Sequence, residues 1–309
     1  MDKNNMGKKI LFGLLIGFFV IGSVAFLMAN QLKTNGAGVK YVSTTGGLAL
    51  KTYHGASTDT VFKIPDYAAD KNGKSLPVVE ILNYSASNSE YLQELYIGPN
   101  VKTIQPWAFT NCVNLNKIVV DKENPNFTSL DGVLYSKDMK TLLLYPNKCG
   151  YKYLKDAAGN PLVDKKSGAL FPDKNSGYFT VPAGVTAIGE NAFYKCDKLL
   201  GITFTGDVKE VHEKAFFKCK GLTKLELLEG LTTIDVDAFS FCDNLTGDVT
   251  IPASCKKIEK YAFFSNSSLI KKIYIKADKN KIQLDGNWLP NKKDNFRKKV
   301  PFEFINQSN

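Results

Sequence analysis

Six cysteines and two histidines are the residues of this 309-residue chain best suited to catalysis or metal binding. A zinc centre needs cysteines paired about two to four residues apart, or a histidine close by. Cys112, Cys149, Cys196, Cys219, Cys242 and Cys255 stand singly and far apart instead. His54 and His212 have no sequence neighbour that would complete a nucleophile–base pair. No glycine-rich phosphate loop follows a strand-like run, and the carboxylates are scattered. The expectation is therefore no enzyme, no cofactor and no metal. Residues 147–177 are the one stretch where an activity could still be lodged.

Four of the cysteines share a setting that explains them differently. One unit reads Val185, Ile188, Ala192-Phe193, Cys196, Leu199, Ile202 and Phe204, and the next reads Val208, Val211, Ala215-Phe216, Cys219, Leu222 and Leu225. Leu231, Ile234, Ala238-Phe239, Cys242 and Leu245 repeat it, as do Cys255, Ile258, Ala262-Phe263 and Leu269, with Asn266 in the cysteine slot. The Ala-Phe pairs at 192, 215, 238 and 262 set a period of 23 to 24 residues. A fixed period in the twenties predicts a solenoid whose units bury their apolar faces only by stacking. Stacked strands about 4.8 Å apart put the phenylalanines in one interior column and the cysteines in another. Ala192-Phe193 is expected on a tight helical turn. The cysteines are expected reduced and buried as small apolar residues, although an exported chain could oxidise a neighbouring pair. Cys149 lies outside the repeats and is the candidate reactive or pairing thiol.

The pattern I/V-x-x-I-x-x-x-A-F-x-x-C-x-x-L, with a fifth Ala-Phe pair at 108, resembles the BspA-like class of bacterial and protozoan leucine-rich repeats. The resemblance covers roughly Leu48 to Ile275. It implies an α/β, largely β, leucine-rich-repeat solenoid of about six repeats and a surface-exposed, ligand-binding role. It also supports an N-terminal module at Tyr53–Gly55, Val61–Pro65 and Leu76–Val78, and a hairpin inserted at the strand edge.

Organisation follows from these marks. Lys3, Lys8 and Lys9 precede Ile10–Met28, which is uncharged. Residues 1–30 are thus a membrane anchor with the remainder outside, or a signal peptide cleaved after Ala25 or Ala29. Residues 31–77 are expected to form an N-terminal β cap, including a hairpin of Val39–Ser43 and Leu48–Tyr53. Repeats follow at 78–121 and 181–276, separated by an inserted hairpin and loop at 122–180. The first repeat is degenerate, with Ser85-Ala86 for Ala-Phe and Ser89 for cysteine. Residues 277–309 form a basic C-terminal cap or tail.

The formal charge is +10, from 40 Lys and Arg against 30 Asp and Glu. Between Lys271 and Lys299, ten basic residues and Trp288 face only Asp278, Asp285 and Asp294. That segment is either a polar cap or a contact for an anionic polymer; nucleic acid is not expected for an exported chain. Strand alternation points Tyr96, Val119, Thr203, Glu226, Thr250 and Tyr274 outward in one column, the candidate ligand face. The expected function is a cell-surface or secreted binding protein that attaches through protein or glycan ligands. The alternative is a scaffold, tethered to its own membrane through 10–28, that binds a partner in the same envelope.

Overall fold

The structure is a computed structural model and describes residues 38–167, 170–171, 173, 175–264, 269–289 and 300–305. The predicted span at 10–28, its Gly13-x-x-x-Gly17 pattern, Asn266 and the basic run at 290–299 lie outside these residues. The N-terminal part carries β1 (Val39–Thr44), β2 (Gly47–Tyr53), β3 (Val61–Lys63), β4 (Tyr67–Ala69) and β5 (Ser75–Ile81). Next come β6 (Glu94–Ile97), β7 (Thr103–Ile104) and β8 (Lys117–Val120). The interval between Phe109 and Phe193 holds β9 (Phe127–Leu130), β10 (Val133–Ser136), β11 (Thr141–Leu144), β12 (Tyr178–Thr180) and β13 (Ala187–Ile188). The regular repeats add β14 (Gly201–Thr203), β15 (Glu210–Val211), β16 (Lys224–Glu226), β17 (Thr233–Ile234), β18 (Gly247–Ile251) and β19 (Lys257–Ile258). The last are β20 (Ile270–Ile275), β21 (Gln283–Leu284) and β22 (Phe302–Phe304).

Each regular repeat gives one strand to each of two parallel stacks and a turn segment to a third side. In the first stack, β12, β14 and β16 pair in parallel, as do β18, β20 and β22, and β3, β6 and β8. In the second, Leu142, Ile188, Val211, Ile234, Ile258 and Leu284 lie in register along β11, β13, β15, β17, β19 and β21. All of these but Leu284 are fully buried, because one strand alone offers its apolar face nothing to pack on. The phenylalanine column forms as the period requires. Ring centroids of Phe193, Phe216, Phe239 and Phe263 follow one another at 4.6, 5.1 and 5.3 Å with nearly parallel planes.

The third side departs from the expected helical turns; among the described residues there is no α-helix. Left-handed residues recur four apart, at Asn191 and Lys195, Lys214 and Lys218, and Asp237 and Phe241. Their N–H groups, and that of the phenylalanine between them, donate to the next repeat rather than back along the chain: Asn191 to Glu213 O, Phe193 to Ala215 O and Lys195 to Phe217 O. A helix would need those donors for itself. The turns therefore extend the stack in place of forming helices, and the fold is mostly β.

The interval between Phe109 and Phe193 also differs from a single hairpin set at the strand edge. β9, β10 and β11 make a three-stranded antiparallel meander, whose first turn is Asp131-Gly132 with both φ positive, a turn that suits hairpin twist. β11 then enters the second stack beside β13. Tyr145 occupies the phenylalanine position, its N–H donating to Ala192 O at 2.8 Å and its ring lying 4.8 Å from Phe193. The meander thus stands in for a repeat. Beyond it, the described residues between 150 and 175 form small, mostly exposed turns with bridges between Lys155 and Pro161 and between Val163 and Leu170.

At the N-terminal end, the β1–β2 hairpin forms with Gly46 at positive φ. β2 pairs in parallel with β5, and β5 with β7, in a sheet of their own, while β3 pairs with β6. At the other end, Trp288 is buried against Phe263 and Phe302 and is not displayed among the surface charges.

Candidate binding face

The six outward positions predicted from strand alternation fall into register-matched rows. Tyr96 pairs with Val119, Thr203 with Glu226, and Thr250 with Tyr274. The same registers add Lys63, Thr180 and Glu303, which strand alternation in the repeats alone did not reach. A Thr246 N–H to Thr223 O bond of 3.0 Å carries the line from β16 to β18. Thr203 and Glu226 are exposed, and the other four are half-buried.

The two tyrosines have matching surroundings. Lys63 Nζ lies 5.1 Å from the ring centre of Tyr96, whose hydroxyl donates to Glu94 Oε2 at 2.8 Å. That bond holds the proton and raises the tyrosine above its usual range. Lys272 Nζ lies 5.1 Å from the ring centre of Tyr274 and pairs with Glu303. Midway, Lys224 sits 3.7 Å from Glu226. The carboxylates of Glu226 and Glu303 thus each have a lysine beside them, while Lys63 lies over a ring.

Between β8 and β12 the line is interrupted by the segment Lys148–Lys152. Lys148 N–H donates to Leu115 O at 2.8 Å, tying the segment to the first repeats. A groove of about 590 Å³ opens there, lined among others by Lys117, Val119, Asp131, Lys148, Tyr151 and Lys152. Lys198 Nζ stands 5.2 Å from the ring centre of Tyr151. This groove was not legible in the sequence, because its walls are 30 residues apart and meet only through the meander.

The residues with chemical potential are placed as follows. The thiols of Cys112, Cys219 and Cys242 donate to the carbonyls of Ala86, Phe193 and Phe216, 3.1, 2.9 and 3.2 Å away. Burial pushes Cys112 and Cys255 up to about 11, and Cys196 and Cys219 well above the ordinary thiol range. Cys149, the candidate reactive or pairing thiol, is buried as well, its thiol facing Asp131 O at 3.4 Å and pushed up to about 11. A reactive cysteine needs the opposite environment. His212, without a partner in the sequence, gains one across repeats: Nδ1 is 3.0 Å from Asp235 Oδ2 and Nε2 is 3.5 Å from Glu210 Oε2. The hydrogen bond to Asp235 raises its pKa against the opposing effect of burial.

A further set on the turn side escaped the sequence reading altogether. Tyr84, Trp107, Tyr194, Phe217, Phe241 and Phe264 follow one another at ring-centroid separations of 5.8, 5.2, 5.5, 5.2 and 5.9 Å. The stripe passes unbroken from Trp107 to Tyr194, although 86 residues separate them in the chain. A second aromatic directly or two positions after the Ala-Phe pair, as in Ala-Phe-Phe217 and Ala-Phe-Ser-Phe241, was the available signal. Tyr84, Phe241 and Tyr261 hold φ near +60°, a conformation costing a side chain about 1–2 kcal/mol.

No functionally curated protein matches the chain. Among solved structures, it is similar to a leucine-rich repeat protein from Eubacterium ventriosum, at 23% identity and a TM-score of 0.53 over 70% of this chain. The chain spans about half of that protein, 48% of its length. It is also similar to the pneumococcal vaccine antigen PcpA, at 13% identity and a TM-score of 0.45, covering 86% of this chain and 93% of that one. A leucine-rich cell surface protein from Faecalibacterium prausnitzii aligns at 17% identity and a TM-score of 0.41, covering 81% and 97%. The BspA type leucine rich repeat region matches residues 74–140 and 167–286 in six copies. With repeats, stacking and match in agreement over more than half its length, the chain belongs to the BspA-type leucine-rich repeat family.

Proposed function

We propose that this is a surface-displayed binding protein that attaches through protein or glycan ligands and performs no chemistry on them. The observation that carries the reading is the register-matched line from Lys63 to Glu303. A row of half-exposed side chains on a stiff stack is an extended platform whose parts are held in place before a ligand arrives. Pairing of its carboxylates with lysines favours contact by aromatic and polar groups over bulk electrostatic attraction. The β1–β2 hairpin serves as the N-terminal cap of a repeat solenoid in this reading. Display at the surface rests on the uncharged Ile10–Met28 run and the lysines before it, with anchor retention and signal cleavage as the two routes. Its membrane contact would be that run. The anionic-polymer role proposed for the basic C-terminal segment loses Trp288, which is committed to the core.

The test replaces Tyr96, Glu226 and Tyr274 together by alanine in the full chain on its own cells. Attachment to coated host-matrix proteins and to an array of glycans is then measured. The expected result is loss of attachment by about tenfold or more, as for removal of central aromatic contacts, with the melting temperature nearly unchanged. Unchanged attachment would exclude this face and leave the groove at Lys148–Lys152. Binding confined to the cell's own envelope would favour a tethered scaffold instead.

A further inference from the structure

The turn side carries a second surface that the binding face does not use. Beside its aromatic stripe, Lys195 lies 5.7 Å from the ring centre of Tyr194, Lys214 lies 5.8 Å from Trp107, and Lys260 lies 4.7 Å from Tyr261. Lys218 sits between two rings, 5.3 Å from Phe217 and 5.4 Å from Phe241. Lys214 is also held by Glu213, but among the described residues no carboxylate pairs with Lys195, Lys218 or Lys260. Ammonium groups are thus fixed along the array, set between half-buried rings.

We propose that this stripe binds an extended acidic polysaccharide. Three features select that occupant. The surface repeats along the array, so it suits a linear polymer that offers an anion and an apolar patch again and again; a sugar chain bearing carboxylates supplies both. Extended peptide is disfavoured because the turns have few main-chain donors to share. Lys214, Phe216 and Lys218 N–H groups already donate to Val236, Ala238 and Ser240 carbonyls, and β-strand addition needs such groups open. Nucleic acid is disfavoured because Tyr194 and Phe217 lie 9° from parallel and cover each other. Their faces are therefore not open to stack on bases. Structural bracing does not account for the stripe by itself, since the interior column of Phe193, Phe216, Phe239 and Phe263 already ties the same turns together. Rings on this side also occupy left-handed positions, at Tyr84, Phe241 and Tyr261, that Asn88, Asn111 and Asn191 fill elsewhere with a better-suited residue.

The probe is polygalacturonate, immobilised, with neutral dextran and inorganic polyphosphate as comparisons, and the protein is the full chain. Salt-sensitive binding to polygalacturonate and none to dextran is expected. Lys218→Ala with Lys260→Ala should weaken it about five- to tenfold, the loss expected from two exposed ionic contacts. Phe217→Leu, which stays apolar but removes the ring, should weaken polygalacturonate binding about threefold and leave polyphosphate unaffected. Replacing Tyr96, Glu226 and Tyr274 should leave all of this unchanged, which separates the stripe from the binding face. Equal binding of dextran, or full binding by the double lysine variant with its melting temperature preserved, would overturn the proposal. So would a Phe217→Leu protein that holds polygalacturonate as tightly as the parent does.

Discussion

Cys219 shows what a thiol does inside this protein. It fills a small interior volume, donates to Phe193 O one repeat earlier, and is kept protonated by burial. Cys112, Cys196 and Cys242 are buried in the same slot of their repeats, and Cys149 is hidden too. Native protein at neutral pH should therefore react with a water-soluble disulfide reagent only at the rate of its unfolding, while denatured protein should expose all six thiols. Rapid modification of one thiol in the native state would place that cysteine outside the core. His212 makes the other residue-scale case. Its pKa is raised in the fold by Asp235, so the protonated pair stabilises fully below the unfolded value of about 6.5 and is lost as pH rises through the folded pKa. The side chain is over a third exposed, which limits the effect to about 0.2–1 kcal/mol. Asp235→Asn should lower the melting temperature near pH 5.5 and make little difference near pH 9, in parallel thermal scans.

The turn segment is the element on which stability depends. Phe216 is fully buried between two parallel rings, and Phe216→Ala should cost about 3–5 kcal/mol. Lys218→Ala, two residues on, removes contacts at a half-exposed site worth about 0.5–1 kcal/mol at most. Equal denaturant midpoints for the two would contradict the stacking described. The Phe216 position was legible because a single residue type recurs in each interior slot, and the strand rows followed from simple alternation. Lys195 and Phe241 were not, since a left-handed turn has no apolar period and its donors are spent on neighbours 22 and 23 residues away. Tyr145 was missed for a related reason: it fills a phenylalanine slot from outside the repeat frame, through pairing of β11 that only the folded chain reveals. The Asp131-Gly132 pair is a hairpin signal in the sequence, and it marks the turn between β9 and β10.

At the scale of the molecule, the buried residues form two clusters. One runs from Leu48 to Leu134 in the first repeats, the other from Val133 through the regular array to Val300. They meet at the meander, with Tyr145 and Asn147 as the stitches on the far side; Asn147 Nδ2 donates to Lys195 O at 2.7 Å. Stacked arrays lose cooperativity where coupling between neighbours is weakest. Denaturant unfolding followed by hydrogen exchange should therefore resolve two steps, with amides of β13 to β19 released together and separately from those of β5 to β8. A single transition with uniform exchange would mean the meander couples the halves as strongly as any repeat couples to the next.

The turn hydrogen bonds have one more consequence. Because Lys214, Phe216 and Lys218 give their N–H groups forward and the preceding turn gives its own to Ala215 and Phe217, each regular repeat presents the same contacts on its two sides. A copied unit would fit between any two of them, lengthening the molecule by one step without altering what either neighbour meets. Length is then a quantity that gene duplication can adjust freely, like marks added to a ruler.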